Sequence, residues 1–307
     1  MGEAQGSTKE NRKISGRKNQ MGYGIWGRLI YYDFSAQGKV EAKSVSIFEY
    51  DEEEHMRYVA SMIDIHTHIL PGVDDGARNL QEAMELLREA VRMGTREIIL
   101  TPHCAPAYGF WNFDGEELDI TFRRLWRAVD QEGLDIILHP GMEVLYEGRE
   151  EMLYHREEYC TLCRSRYLLM EYYFDVEKKE FLEGIETALE CGFVPVVAHP
   201  ERYEAVQREP ELAKQGRTIG ALFQINKSSL KGGHGEGARK IGHWILEQEM
   251  ADFIASDAHD SVKRGSSLQG VEEYVRRQYG KERAQRIFRE NPQAVIENKV
   301  LQRRGEL

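Results

Sequence analysis

The sequence predicts an α/β fold: a closed or nearly closed (β/α) barrel starting near Met62, with a doubly wound open sheet as the alternative. Three observations carry this reading. From Met62 onward, short β-rich runs alternate with stretches of helical period. The runs are almost continuously apolar, as expected of parallel strands covered on both faces. The stretch 62–307 also has the length of such barrels, which typically run to about 250 residues.

Taken in chain order, residues 1–20, "MGEAQGSTKENRKISGRKNQ", are polar and Gly-rich and read as disordered. In 22–50, "RLIYYDF" and "KSVSIFEY" could pair as strands before "DEEE" at 51–54 breaks the pattern. Residues 1–61 are therefore read as an N-terminal extension, either dispensable or an over-extended translation start, and 62–307 as the folded domain. Seven strand candidates follow: "MIDI", "REIIL", "LDIIL", "RYLLM", "FVPVVA", "GALFQI" and "DFIAS". Between the first two, "NLQEAMELLREAVRMG" places Leu80, Met84, Leu87 and Val91 on one helical face. Asn79 with Glu82 forms an N-terminal capping signal and Gly94 a stop. "EKKEFLEGIETALECG" repeats that logic. Strands followed by helices imply parallel pairing.

Composition narrows the function classes. The chain has 307 residues, is 41% hydrophobic and carries a net charge of −11, which argues against nucleic-acid or anionic-membrane binding. Neither a membrane span nor a secretory h-region is present. Four cysteines (Cys104, Cys160, Cys163 and Cys191) are too few for a disulfide framework, and a reducing cytoplasm is the expected compartment.

Each strand candidate ends in a residue able to bind metal or substrate. In order these are His66 with His68, His103, Glu143, Glu171, His199 with Arg202, Asn226, and Asp257 with His259. Asp74 and Asp75 follow the first strand. In a parallel barrel these ends converge on one face. About five imidazoles and three or four carboxylates exceed what one tetrahedral zinc needs and suit two or three divalent ions such as Mn, Fe or Zn. Side chains two apart on a strand point the same way, so His66 and His68 can share an ion, as can Asp257 and His259. The other histidines, His55, His139, His155, His234 and His243, read as structural or surface, His139 being the nearest to a site residue.

"MIDIHTHILPGVDDG", "TPHC", "GMEVLY", "LLMEYYF", "VVAHPERY", "FQINKSSL" and "IASDAHD" resemble, in order and spacing, the manganese-dependent protein-tyrosine phosphatases of the PHP (polymerase and histidinol phosphatase) superfamily. The resemblance covers about 62 to 300, and "HPERY" with "ASDAH" is its most specific part. It implies a distorted (β/α)7 TIM-like barrel with a trinuclear centre, most readily of manganese, with iron or zinc as alternatives. The implied ligands are His66, His68, Asp75, His103, Glu143, Glu171, His199, Asp257 and His259, with Glu143 or Glu171 bridging ions. Arg202 and Arg264 are implied phosphate holders, and His199 or His259 a proton donor if the metal leaves it free. The implied substrate is the tyrosine-rich tail of a cognate bacterial tyrosine kinase controlling capsule or exopolysaccharide synthesis, dephosphorylated by direct transfer to water. "LHPG" before Glu143 and the long N-terminal extension depart from the family pattern.

Rival readings remain. A PHP phosphoesterase for small molecules such as histidinol phosphate would keep the fold and metals, and a non-catalytic PHP-like module would keep only the fold. A cysteine phosphatase finds its C-x5-R in Cys160 and Arg166, but "CTLCRSR" has no glycine and precedes a strand, where a phosphate loop should follow one. Cys160 with Cys163 as a metal or redox pair lacks a second pair.

Overall fold

A computed structural model describes residues 22–25, 28–34 and 40–46, as backbone strands, and residues 61–301. The disorder expected of residues 1–20 and the role expected of His55 lie outside the described residues. The chain divides into two units, Met1–His55 and Met56–Leu307. In the first, β1 (Gly22–Ile25), β2 (Arg28–Phe34) and β3 (Val40–Ser46) form an antiparallel sheet in the order β1-β2-β3. The "RLIYYDF" run pairs there along its whole length, from Arg28 opposite Ser46 to Phe34 opposite Val40.

The second unit holds nine parallel strands in seven positions of a ring. They are β4 (Met62–Asp64), β5 (Thr95–Leu100), β6 (His103–Cys104), β7 (Ile137–Pro140), β8 (Glu143–Leu145), β9 (Tyr167–Glu171), β10 (Val194–Ala198), β11 (Leu222–Asn226) and β12 (Phe253–Ala255). One sheet runs β12-β11-β10-β9-β8-β6 and the other β4-β5-β7. A parallel bridge from Thr67 to Ala258 joins the first strand's end to the last strand's end, with His68 N donating to Ala258 O at 2.8 Å.

Two positions of the ring are broken strands, and this is the barrel's distortion. Pro102, which has no N–H to donate, separates β5 from β6, and Gly141-Met142 separates β7 from β8. Gly141 is held close to its neighbours: a Cβ there would lie 2.7 Å from Ile99 Cγ2 and 3.3 Å from Leu162 Cδ2. Leu162 belongs to the turn before β9, which packs against β7 where no direct β7–β9 pairing occurs.

Alternation along the strands builds the core and aims the site. Leu169, Val196, Ala198, Leu222, Phe253 and Ala255 pack in one cluster, closed by Val295, Ile296 and Leu301. The intervening Leu168, Met170, Val197, Phe223, Ile225 and Ile254 pack in another with helix residues such as Phe181, Ile185 and Ile245. The period that buries Leu169 brings Glu171 to the same side two residues later, and Ala255 is likewise followed by Asp257. The first helix, Leu80–Arg92, starts at Asn79, whose side chain accepts from Glu82 N, and passes through Met93 into Gly94 at φ +89°. Its buried stripe is Ala83, Met84, Leu86, Leu87 and Ala90, with Leu80 and Val91 at the edges. Among the described residues no helix is long and apolar enough to cross a membrane.

Candidate metal centre

Glu143 lies at the middle of the site. It is fully buried on β8, and its Oε2 stands 3.1 Å from His66 Nε2, 3.2 Å from His68 Nε2 and 3.2 Å from His103 Nδ1. Its Oε1 stands 3.1 Å from His199 Nε2. Glu171 Oε1 is 3.0 Å from His103 Nδ1. Asp257 Oδ1 lies 3.7 Å from His66 Nε2, 3.6 Å from His68 Nε2 and 3.4 Å from His259 Nδ1. On the outer side, Asp75 Oδ1 lies 3.5 Å from His103 Nε2 and 3.3 Å from His259 Nε2. All nine sequence-predicted ligands therefore share one cluster, in overlapping sets able to hold a metal ion. The sets are His68, Asp75, His103 and His259; His66, Glu143 and His199; His66, His68 and Asp257; and His103, Glu143 and Glu171. Glu143 rather than Glu171 occurs in two of them, which makes it the candidate bridge.

The donor chemistry fits divalent ions. His66 Nδ1 donates to Gln224 Oε1 at 2.8 Å and His68 Nδ1 to Asp74 Oδ2 at 2.7 Å. Each ring thereby turns a bare Nε2 inward, and the two Nε2 atoms stand 3.1 Å apart. Two nitrogens each about 2.1 Å from one ion, at tetrahedral or octahedral angles, stand roughly 3.0–3.4 Å apart. Glu143 Oε2 and His103 Nδ1 are buried without a hydrogen-bond partner. Lone pairs facing lone pairs in a buried pocket need a cation between them.

The charges agree. Burial opposes protonation of His66, but the charge and hydrogen bond of Glu143, with Asp257 behind them, raise it to about 9. Burial is likewise overcome at His103, which Glu143, Glu171 and Asp74 raise to about 10. The carboxylates thus create a field that demands positive charge. Two imidazoles go the other way: burial, with the charge of His68 adding to it, lowers His259, and burial, with Arg202 adding to it, lowers His199 to about 4, so the His199 ring is neutral near pH 7. His199 and Asp257 also hold left-handed backbone, φ +33° and +50°, where non-glycine residues are strained.

Arg202 and Arg264 stand at the edge of the cluster. Arg264 Nη2 lies 2.6 Å from Asp257 Oδ2 and Arg202 Nη1 3.6 Å from the same atom, while Arg202 rests over the Phe174 ring at 4.4 Å. Asn226 also donates to Asp257 Oδ2, and its Oδ1 caps Ser228 N at 2.9 Å, so it both supports the site and caps a helix. Asp257 therefore has one oxygen held by two donors, with the Arg202 charge nearby, and the other turned to the imidazoles.

Two supporting residues were missed by the sequence reading. Asp74 orients His68 and also accepts from His103 N at 3.0 Å. Gln224 orients His66 from β11. The signal for Gln224 was a lone polar residue inside "GALFQI", two before Asn226 on the same strand face. Three of the remaining described histidines are engaged elsewhere, His139 with Glu97 at 2.7 Å, His155 with Glu158 and His243 with Leu230 O at 3.2 Å; His234, bonded to Ser229 at 3.0 Å, stands near enough to the cluster to feel the charges of Arg202, Asp257, Arg264 and His259.

The C-x5-R segment is no phosphate loop. Burial pushes the Cys160 thiol up to about 12, and Arg166 is engaged by Asn298 at 3.0 Å. Cys160 and Arg166 also precede β9, while Glu171 ends it, so the strand's length separates them from the cluster.

The family model described as "Capsular polysaccharide synthesis, CpsB/CapC" matches residues 62–297. Among relatives, the tyrosine-protein phosphatase CpsB of Streptococcus pneumoniae is 28% identical over 245 residues, covering 78% of this chain and 100% of that protein. The tyrosine-protein phosphatase YwqE of Bacillus subtilis is 31% identical over 253 residues, covering 78% of this chain and 98% of that protein. A solved structure from a study of YwqE and CpsB, described there as unique metal-dependent tyrosine phosphatases, aligns with a TM-score of 0.72 at 30% identity, covering 79% of this chain and 97% of that one.

Proposed function

The chain belongs to the CpsB/CapC family of capsular polysaccharide synthesis, and from that premise we propose that it is a metal-dependent protein-tyrosine phosphatase acting on phosphotyrosine in protein. The observation that carries the proposal is the convergence of three imidazole nitrogens on Glu143 Oε2 at 3.1, 3.2 and 3.2 Å. The holding residues are His66, His68, Asp75, His103, Glu143, Glu171, His199, Asp257 and His259. Nitrogen ligands mixed with many carboxylates suit manganese, and iron or zinc could take the same set. Bound there, two or three divalent ions would supply an activated water and neutralise charge on the phosphoryl oxygens.

The chain's own residues do the rest. Asp74 and Gln224 hold His68 and His66 in the tautomer that keeps Nε2 free. Asn226 holds Asp257 Oδ2, which leaves Oδ1 for the centre. Arg202 and Arg264 supply planar forks that can move from Asp257 to phosphate oxygens. His199 is neutral near pH 7 and so serves with the ligands rather than as the proton donor. A tyrosyl phenolate, with a solution pKa of about 10, needs little protonation to leave. The substrate we propose is the tyrosine-rich tail of a cognate bacterial kinase in the cytoplasm.

The test combines elemental analysis with turnover of a phosphotyrosine peptide and of histidinol phosphate, in wild type and His199→Ala. Bound divalent metal, turnover of the peptide abolished by chelation, and loss of both metal and rate in His199→Ala are expected. Preference for histidinol phosphate would point to a small-molecule phosphoesterase. A purified protein without metal would point to a binding module.

A further inference from the structure

Beside the metal centre lies a second cavity, of about 500 Å³. Its walls come from the ends of three ligand-bearing strands and the loops that follow them: Cys104 at the end of β6 and Trp111 after it, Glu147 after β8 and Tyr173 after β9. These residues begin one to four positions beyond His103, Glu143 and Glu171, so the cavity opens on the same end of the barrel as the ligands. Glu151 and Tyr159 complete it from the helix Arg149–His155 and the segment beyond. The wall is thus aromatic and acidic. Ala107 N fixes Glu147 by donating to Oε1 at 2.7 Å, and among the described residues no cation pairs with Glu147. Among the described residues the ion partner of Glu151 is His155, at 3.8 Å, which also lines the cavity and is itself engaged by Glu158. Trp111 is 68% exposed, an unusual position for an indole in a folded domain.

A cavity of aromatic faces with an unpaired carboxylate is built for one chemistry. An alkyl-stemmed cation packs its stem on the rings, places its charge over a ring face and ends on the carboxylate. We propose that this cavity is a specificity subsite that receives a lysine or arginine side chain of the phosphoprotein substrate, close in sequence to the phosphotyrosine held at the metal centre. The inference rests on the phosphatase reading above and adds what the substrate must carry beside its phosphotyrosine. The metal centre takes the dianionic phosphate, and the neighbouring cavity takes the opposite charge, so the enzyme reads a phosphotyrosine–cation pair. A chain in extended form advances roughly 3.3 Å per residue, which limits the partner to within a few residues of the tyrosine.

The experiment is a positional scan. Phosphotyrosine peptides carry a single Lys, Glu or norleucine at each place from three before to three after the tyrosine, and kcat/KM is read for each. Free phosphotyrosine, too short to reach the cavity, is the companion substrate. About a tenfold preference for Lys over Glu at one or two positions is expected, and Glu147→Gln should cut that ratio at least threefold. Glu211→Gln, an exposed acid on a distant helix, should leave it intact. Equal Lys preference at every position would assign the effect to the overall charge of −11 and overturn the proposal. Preference for norleucine, or a Lys:Glu ratio unaffected by Glu147→Gln, would overturn it as well. Failure to hydrolyse any of the substrates, free phosphotyrosine included, would instead count against the phosphatase reading itself.

Discussion

At the scale of single residues, the site is a set of paired roles, with ligands facing inward and a support behind each. Asp74→Asn keeps the shape of that support and removes its charge. Loss of a carboxylate that orients a ligating imidazole typically costs about 10–100-fold in metal affinity, so the variant should fold normally yet release metal to a chelator at lower concentration, as measured by competition titration. Residue chemistry did not separate Asp74 from Asp75, and only the family resemblance favoured Asp75 as the ligand: two adjacent carboxylates are alike, and the folding back of the loop sends one to His68 and the other to His103 and His259. Cys160→Ser, by contrast, touches a buried protonated thiol remote from the ligands and should retain full activity on phosphotyrosine peptide, while EDTA abolishes it. Lys227 makes a pH prediction. It is buried, donating to Gly265 O and Ser267 O next to Arg264, and burial lowers it to about 8. The unfolded chain then binds more protons than the folded one between pH 8 and the ordinary lysine value of about 10.4. The cost of this group is full below pH 8 and relieved as pH rises. Urea unfolding should show a smaller gain, or a steeper loss, of stability from pH 8 to 10 in Lys227→Met than in wild type.

At the scale of elements, the seven strand candidates were legible because apolar runs of four to six residues punctuated by helices carry a clear period. β6 and β8 were not, since strands of two and three residues have no period to read. "LHPG", which matched no family pattern, proves to be the last three residues of β7 and the glycine that opens the break before β8. Gly76 shows what the loop after β4 demands. A Cβ there would lie 2.0 Å from His68 O and 2.5 Å from His68 Cβ, so the chain passes over His68 only as glycine. Gly76→Ala must shift backbone that carries Asp74 and Asp75. Its phosphatase rate should fall more than tenfold while circular dichroism stays native; an unchanged rate would mean the loop can yield without moving those carboxylates. Gly141 is the corresponding position in the broken strand, and Gly141→Val, which overpacks Ile99 and Leu162, should lower stability by about 1–3 kcal/mol in denaturant titration.

At the scale of the molecule, one barrel end gathers ligands from six of the seven ring positions, with β11 supplying the supports Gln224 and Asn226. Since that assembly lies wholly within the second unit, a chain beginning at Met62 should fold, bind metal and hydrolyse phosphotyrosine peptide at close to the full-length rate. Aggregation or a metal-free product would show that the first unit is integral. The closure of the ring has a further consequence, for the order of events in synthesis. His66 and His68 leave the ribosome among the first residues of the barrel, whereas Asp257 and His259, which meet them across the Thr67–Ala258 bridge, emerge about 190 residues later. At translation rates of roughly 5–20 residues per second, the early histidines wait some ten seconds or more for their last partners. Completion of the centre is thereby tied to completion of the barrel: a product ending before the last strand lacks His259 from one ligand set and Asp257 from another, and a fully loaded centre reports that the last strand has been made and docked.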